Sequence, residues 1–194
     1  MYAQQPTATG NNVTTTPSST TLGNITTYTA AGSIRSIIVP DQDPDTPYLT
    51  FGYWNSTVDN GNLTNFYSNF TMARVNGSEI HNHQIINFRS DNSVSMVGGP
   101  LGTTTIFSGT SDMQTNGQPK WNNVSTSIIV NRFDTISVAL DSEGTDNHFN
   151  GQPITGVVES VKDPEGIELL LINLDGIQTV VLPTQTQANE TDEQ

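Results

Sequence analysis

The chain has 194 residues, a length that fits one domain with tails, and none of them is cysteine, which excludes disulfides, thiolate metal sites and a cysteine nucleophile. Its 19 acidic and 6 basic side chains give a formal net charge of -13, which cannot neutralise a phosphate backbone and so excludes sequence-independent nucleic-acid binding. The longest apolar run, residues 169–172, is far shorter than the roughly 20 residues of a membrane-spanning helix, so we expect no membrane insertion.

The N-terminal segment, residues 1–31, is rich in Thr, Ser and Asn and poor in large apolar side chains. Such a segment cannot bury enough surface to offset the entropy of ordering, so it is predicted to be flexible. Its first five residues are typical of the remnant of a cleaved export signal, and the Asn-x-Ser/Thr sequons of the chain favour a secreted glycoprotein, at the cell surface or in a pseudo-periplasm. These sequons begin at Asn12, Asn24, Asn55, Asn62, Asn69, Asn76, Asn123 and Asn189.

Residues 32–182 are predicted to form a single all-β domain. Thr, Asn, Ser, Val and Ile outnumber the strong helix formers, and no apolar pattern repeats with the helical period. Asn-Gly and Asp-Gly dipeptides, which favour tight hairpin turns, separate the apolar segments, so we expect an antiparallel sandwich or barrel of about ten strands, followed by an acidic flexible tail over 183–194. The candidate strands are Ser33–Val39, Tyr48–Asn55, Thr64–Val75, Glu79–Arg89, Ser93–Val97, Thr103–Thr110, Val124–Val130, Thr135–Leu140, Ile154–Val161, Ile167–Asn173 and Ile177–Leu182.

Aromatic residues are concentrated in the second and third candidate strands. They would suit an aromatic sugar-binding platform, but in β-rich domains such residues more often fill the layer between sheets. We therefore expect them in the core. They are Tyr48, Phe51, Tyr53, Trp54, Phe66, Tyr67 and Phe70.

The three histidines of the chain lie in two short motifs. On the Glu79–Arg89 strand, the two-residue period places His81 and His83 on one face, about 6.5–7 Å apart at the backbone, where they can converge on one ion. His148 lies in a glycine-bounded segment, residues 144–151. If this segment lies beside the strand, three neutral ligands leave a fourth position for water, as in catalytic zinc sites. The alternative is that the histidines are ordinary polar residues bonded to nearby carbonyls.

Three uncharged ligands would leave a zinc ion its full charge, which lowers the pKa of bound water from about 15.7 towards 7 and suits hydration of carbon dioxide or hydrolysis of an ester. Copper is equally compatible with imidazole ligands. Such a site needs partners that orient the ligands and the bound water. The candidates for this supporting role in catalysis are Glu79, Asn87, Asp146 and Glu159.

Two resemblances follow from these motifs. Segments 80–88, 107–110, 116–117 with Trp121 beyond, and 146–158 resemble exported β-rich proteins of ammonia-oxidising archaea, over about residues 64–160. The His-x-His pair with a distant third histidine is similar to the zinc site of α-type carbonic anhydrases, which implies ligand roles for His81, His83 and His148. In that family, however, the third ligand follows much closer in sequence, and its Thr–Glu pair that orients the hydroxide has no counterpart here.

Other functions stay open at this stage. Asp41, Asp43 and Asp45 alternate as at the start of a calcium loop, but Thr46 and Gly52 stand where an EF-hand requires Gly and Glu, which leaves a looser calcium site or a solvated acidic turn. The leading hypothesis is an exported zinc lyase like carbonic anhydrase. A non-catalytic glycosylated adhesion module and a periplasmic copper or zinc carrier are the alternatives. The expected partners are a small-molecule substrate or a metal ion, and a second copy of the chain in a homo-oligomer is a further option.

Overall fold

The computed structural model describes residues 19–21, 26–99, 102–174 and 177–181. Strands dominate these residues, which contain one turn of 3-10 helix at Glu143–Thr145 and no α-helix. No helix among them is long and apolar enough to cross a membrane. The strands are β1 (Ser19–Thr21), β2 (Tyr28–Ile38), β3 (Tyr48–Asp59), β4 (Asn62–Arg74), β5 (His81–Gly99), β6 (Gly102–Thr115), β7 (Gln118–Asn131), β8 (Thr135–Leu140), β9 (Ile154–Lys162), β10 (Leu170–Leu174) and β11 (Ile177–Val181).

Strands β2 to β9 form a closed antiparallel barrel in which each strand pairs with the next along the chain and β9 pairs back with β2. Strands β1, β11 and β10 form a separate three-stranded sheet. The prediction of an antiparallel all-β fold is confirmed, and of the two expected architectures the chain adopts the barrel. Closure pairs both edges of the sheet and leaves no open edge in the barrel.

Asn-Gly dipeptides close two of the hairpins as the sequence predicts, whereas Asn76-Gly77 and Asn150-Gly151 lie within longer connections. Asn60 and Gly61 join β3 to β4 with φ values of 49° and 79°, and Asn116 and Gly117 join β6 to β7 with 51° and 74°. Positive φ at both central positions is what a type I′ turn requires, and Asn and Gly reach it at low cost. The predicted turn at Asp175-Gly176 lies outside the described residues.

The strand boundaries differ from the prediction in several strands, and β6 and β7 extend beyond their predicted ends to meet at the Asn116-Gly117 turn. The barrel begins at Tyr28, inside the segment predicted to be flexible, because Tyr28 and Ala30 both face the core. The candidate strands Glu79–Arg89 and Ser93–Val97 are one continuous strand, β5, in which two β-bulges interrupt the register with β6. Of the predicted tails, residues 1–18, 22–25 and 182–194 lie outside the described residues.

Alternate side chains of each strand fill the barrel. Trp54, Phe66 and Phe70 are almost fully buried, and the rings of Trp54 and Phe66 stack with their centroids 6.4 Å apart. The expectation that the aromatic cluster is core is wrong for Phe51 and Tyr53, which are 54 % and 51 % exposed, and for Tyr67, whose ring contacts that of Tyr53 outside the barrel. They occupy the alternate positions of β3 and β4, which point outwards because side chains change face at every residue.

One end of the barrel positions the histidines. Because consecutive strands are antiparallel, the connections after β2, β4, β6 and β8 all lie at this end. The connection from β8 to β9, residues 141–153, carries His148. His81 and His83 lie at the start of β5, at the same end of the barrel. The topology therefore brings the two histidine motifs to one place.

Candidate metal centre

The first two histidines sit side by side on the inner face of β5. In the register with β4, His81 lies opposite Met72 and His83 lies opposite Phe70. His83 is fully buried and His81 is partly buried. The strand period that the sequence predicts for this pair is therefore present in the structure.

The third histidine is placed by a series of tight turns in the 141–153 connection. The 3-10 turn at its start ends at Asp146, and Asp146, Asn147 and Asn150 all have φ between 50° and 55°. Asn and Asp enter this left-handed region more readily than other non-glycine residues. The Asp-Asn-His-Phe-Asn-Gly sequence can therefore reverse the chain repeatedly, and it brings His148 over the end of the barrel.

Contacts on both sides of His148 fix this connection to the barrel. Phe149 is only 2 % exposed and anchors the connection in the core. The side chain of Gln152 pairs with the backbone of Val39, accepting from its N–H at 3.1 Å and donating to its carbonyl at 2.6 Å. Trp121 Nε1 donates to Asp146 Oδ2 at 2.8 Å. His148 thus lies between anchors on both sides in sequence.

The three imidazoles converge on one point through their Nε2 atoms. His148 Nε2 lies 3.0 Å from His83 Nε2 and 3.2 Å from His81 Nε2. The Nε2 of a neutral imidazole either donates its one hydrogen or accepts at its one lone pair. His148 Nε2 can therefore form only one good hydrogen bond, and hydrogen bonding does not explain both contacts. In a tetrahedral site with Zn–N bonds of about 2.0–2.1 Å, ligand nitrogens lie about 3.3–3.4 Å apart. The observed spacing is close to that of a shared metal ion.

Hydrogen bonds at Nδ1 orient the two histidines of β5. His81 Nδ1 lies 2.7 Å from the carbonyl oxygen of Glu79, which can only accept, so Nδ1 carries the hydrogen and Nε2 has the free lone pair. His83 Nδ1 lies 3.1 Å from Thr115 Oγ1. Partners of this kind fix the tautomer and the ring orientation of metal-binding histidines.

Burial keeps two of the imidazoles neutral. Desolvation, followed by the nearby His148 and His81, lowers the pKa of His83 to about 3. Desolvation also lowers the pKa of His148 to about 4, with smaller effects from His81 and Lys120. At neutral pH both rings are therefore in the unprotonated form that binds metal.

These shifts predict that the metal-free protein loses stability in acid. In the unfolded chain a histidine titrates near pH ~6.5, so below that pH the unfolded state binds protons that the folded state excludes. The stabilisation is fully present above pH ~6.5 and is lost as the pH falls towards the folded pKa values of about 3 and 4. Urea unfolding in the presence of a chelator at pH 7 and pH 4.5 measures the loss. His83→Phe, which keeps a ring but cannot protonate, should reduce this pH dependence; an unchanged dependence would contradict the assignment.

Aromatic side chains surround the histidines on the barrel side. The ring centroids of Phe70, Phe149 and Trp121 lie 5.5, 5.4 and 6.1 Å from that of His83. Trp121 also contacts His148, with the centroids 5.4 Å apart. The centre therefore has an apolar wall that excludes water from one side.

Two of the candidate supporting residues adjoin the centre. The backbone carbonyl of Glu79 orients His81, while its carboxylate accepts hydrogen bonds from the Tyr48 hydroxyl and, at 3.2 Å, from Arg74 Nε. Asp146 accepts a hydrogen bond from Trp121, whose ring contacts His148. The sequence indicated both residues, although their particular contacts were not foreseen.

The other two candidates face away from the histidines. Asn87 is exposed and donates to Asp112 at 3.1 Å, because the bulge that follows Ile86 breaks the two-residue period. Glu159 is exposed on β9 and accepts from the Ser33 hydroxyl at 2.7 Å. The structure brings neither side chain to the three Nε2 atoms.

The sequence interpretation missed Thr115 and Trp121 as partners of the histidines. Both flank the Asn116-Gly117 turn, which lies at the same end of the barrel as the histidines. A barrel model in which hairpin turns were assigned to alternate ends would have pointed to them. The sequence alone did not give the strand order that such a model needs.

Within the acidic segment considered for calcium, Asp43 pairs with a guanidinium group. Asp43 Oδ2 accepts from Arg74 Nη1 at 3.1 Å and also from the Thr46 hydroxyl. Arg74 stacks over the ring of Tyr48 at 4.4 Å. This network supports the rim of the barrel next to Glu79.

The bond between Trp121 and Asp146 predicts a measurable loss of metal affinity when it is removed. Trp121→Phe keeps an aromatic ring but removes the donor to the connection that carries His148. A hydrogen bond to a charged group contributes about 1.5–3 kcal/mol, so we expect zinc binding to be weaker by about 10- to 100-fold in a chelator competition assay. Asp146→Asn retains an acceptor oxygen and should lose less. Equal affinity of Trp121→Phe and the parent protein would show that the other anchors suffice.

Comparison of the chain with protein-family models, with curated proteins and with solved structures found no match in any of the three.

Proposed function

We propose that the protein is a metalloenzyme in which His81, His83 and His148 hold one zinc ion and activate water for the hydration of carbon dioxide. The convergence of the three Nε2 atoms, with His148 Nε2 3.0 and 3.2 Å from the other two, is the observation that carries the proposal. One ligand atom from each residue lies within 4.8 Å of the others. A single ion satisfies all three nitrogens, which hydrogen bonding among the rings cannot do.

The donor set favours a Lewis-acid role for the ion. The three side chains are neutral imidazoles, so the ion keeps its full charge and lowers the pKa of a bound water to about 7. Only three protein ligands are proposed, and they leave a fourth position for solvent, as in catalytic rather than structural zinc sites. His81 and His148 are only partly buried, which leaves the centre accessible from the end of the barrel.

The surrounding residues of this chain orient the three histidine rings and exclude water from one side of the centre. The Glu79 carbonyl and Thr115 hold the two rings of β5, and the Trp121–Asp146 bond holds the connection that carries His148. Phe70 and Phe149 provide an apolar surface against His83. Carbon dioxide is small and apolar, so such a surface does not obstruct it as it would a charged substrate.

The test is metal analysis combined with turnover on untagged protein. We expect one zinc per chain by elemental analysis, carbon dioxide hydration by the zinc-loaded protein in a stopped-flow pH-indicator assay, and none after chelation. The rate should rise with pH through a single inflection as the bound water ionises.

Three outcomes contradict parts of this proposal. Stoichiometric zinc without turnover, on carbon dioxide or on an activated ester, would favour a carrier or a structural site. Tighter binding of copper than of zinc at equal free concentrations would reflect only the usual order of metal affinities. Copper binding by a protein that shows no activity with zinc would support a copper carrier. Absence of any bound metal would leave the non-catalytic adhesion module as the remaining hypothesis.

A further inference from the structure

An apolar patch lies on the outside of the barrel, on strands β2 and β3. We call it the outer patch, and it comprises Ile37, Leu49, Phe51 and Tyr53. These side chains are between 43 % and 58 % exposed, and Ile37 lies directly opposite Leu49 across the two strands. Contiguous exposed apolar surface of this kind on a soluble domain normally marks a site that something covers.

Two sequons border this patch on the same outer face. They are Asn55-Ser56-Thr57 on β3 and Asn69-Phe70-Thr71 on β4. The strand period turns the middle residue of each sequon, Ser56 or Phe70, into the barrel, where both are buried. The asparagine and the threonine of each sequon therefore both face outwards.

The strand register pairs each of these asparagines with a tyrosine. Asn69 lies opposite Tyr53, and Asn55 lies opposite Tyr67. The two tyrosine rings are in contact, with their centroids 5.9 Å apart. Directly opposite residues have Cβ atoms about 4.5–5.5 Å apart, which is close enough for a group on the asparagine to lie over the neighbouring ring.

The amide of Asn69 has its nitrogen on the side of Tyr53. Its Oδ1 accepts a hydrogen bond from Asn82 Nδ2 at 2.6 Å, and its Nδ2 lies 3.5 Å from the Tyr53 hydroxyl. Nδ2 is the atom that carries the sugar in an N-linked glycan. A glycan on Asn69 would begin beside the ring of Tyr53.

We propose that Asn55 and Asn69 are N-glycosylated and that the first sugars of their glycans pack on Tyr67 and Tyr53 and cover the adjoining outer patch. The co-reactant is a sugar linked to a lipid phosphate. Asparagine Nδ2 bonds to the anomeric carbon and loses a proton, while the bond from that carbon to the phosphate breaks and the lipid phosphate leaves with the electron pair. This proposal does not depend on the metal centre, but it requires export.

Asn76 provides an internal comparison. It begins a sequon in the exposed turn after β4, where its Oδ1 accepts from the Ser78 backbone N–H at 3.0 Å and from the Ser78 hydroxyl at 2.7 Å. It lies outside the paired positions of β3 and β4 that hold the two tyrosines. A sugar there would remain in solvent.

The first test measures occupancy. The full chain is secreted from an N-glycosylating host whose competence is verified on a reporter glycoprotein from the same cells, and its peptides are analysed by mass spectrometry. We expect glycans on both Asn55 and Asn69. If both are bare while the reporter is glycosylated, the proposal is overturned, whatever the state of Asn76.

The second test measures the packing of the sugars. Enzymatic trimming to the bare protein should lower the Tm of the glycosylated parent by about 2–4 °C and increase binding of a hydrophobic dye. The same trimming should have little effect on Tm in the Tyr53→Ser, Tyr67→Ser double variant, because the rings are gone. An equal loss of Tm in both proteins would contradict sugar packing on the tyrosines. Equal dye binding before and after trimming of the parent would show that the sugars do not cover the outer patch.

Discussion

His148→Ala is expected to abolish stoichiometric zinc binding while the barrel stays folded. His148 Nε2 is the atom that lies closest to both other ligand nitrogens, at 3.0 and 3.2 Å, and its loss leaves a two-ligand site. Changing only a partner of a metal ligand typically costs about 10–100-fold in affinity, so removing the ligand itself should cost more than about 100-fold. Equilibrium dialysis against a competing chelator measures the affinity, and circular dichroism reports the fold.

A neighbouring substitution separates ligand loss from disturbance of the connection. Asn147 precedes His148 with φ of 55°, a conformation that glycine adopts without strain. Asn147→Gly removes a side chain at the same place and should keep zinc binding within a few-fold of the parent. If Asn147→Gly loses zinc as fully as His148→Ala, the connection and not the imidazole would be the determinant, and the three-histidine assignment would fail.

The sequence predicts the local pattern of this site well because the pattern depends on neighbours in the chain. The two-residue strand period alone places His81 and His83 on one face, and the paired φ values at Asn116 and Gly117 follow from the residues themselves. The antiparallel fold follows from the frequency of such turns. No long-range information is needed for any of these predictions.

Long-range features could not be predicted in the same way. Whether His148 meets the β5 pair depends on barrel closure, which places the connections after β4 and β8 at the same end. The fate of Asn87 depends on a bulge that moves it to the outside and buries Phe88 instead. A bulge adds one unpaired residue and reverses the faces that follow it, so a periodic pattern cannot be extended through it.

Gly52→Ala is expected to destabilise the protein strongly and to disturb the metal centre with it. Gly52 lies opposite Phe70, and a Cβ added there would lie 2.1 Å from the carbonyl oxygen of Asn69 and 2.5 Å from the Cα of Phe70. Relief requires β4 to move away from β3, which shifts the Phe70 ring that packs 5.5 Å from His83. Overpacking of this kind costs about 3 kcal/mol, and for a chain of this size it should lower Tm by about 6–12 °C.

Gly98→Ala is the matched control for this prediction, since it makes the same change in another strand. A Cβ at Gly98 meets no atom within 4 Å, so its Tm and zinc affinity should equal those of the parent. Thermal melts of the metal-free variants measure the packing effect alone, and zinc titrations then show whether the displaced β4 weakens the site. If Gly52→Ala melts within a degree of Gly98→Ala, β3 and β4 are not in the close contact that holds Phe70 against His83, and the packed wall of the metal centre would have to be reconsidered.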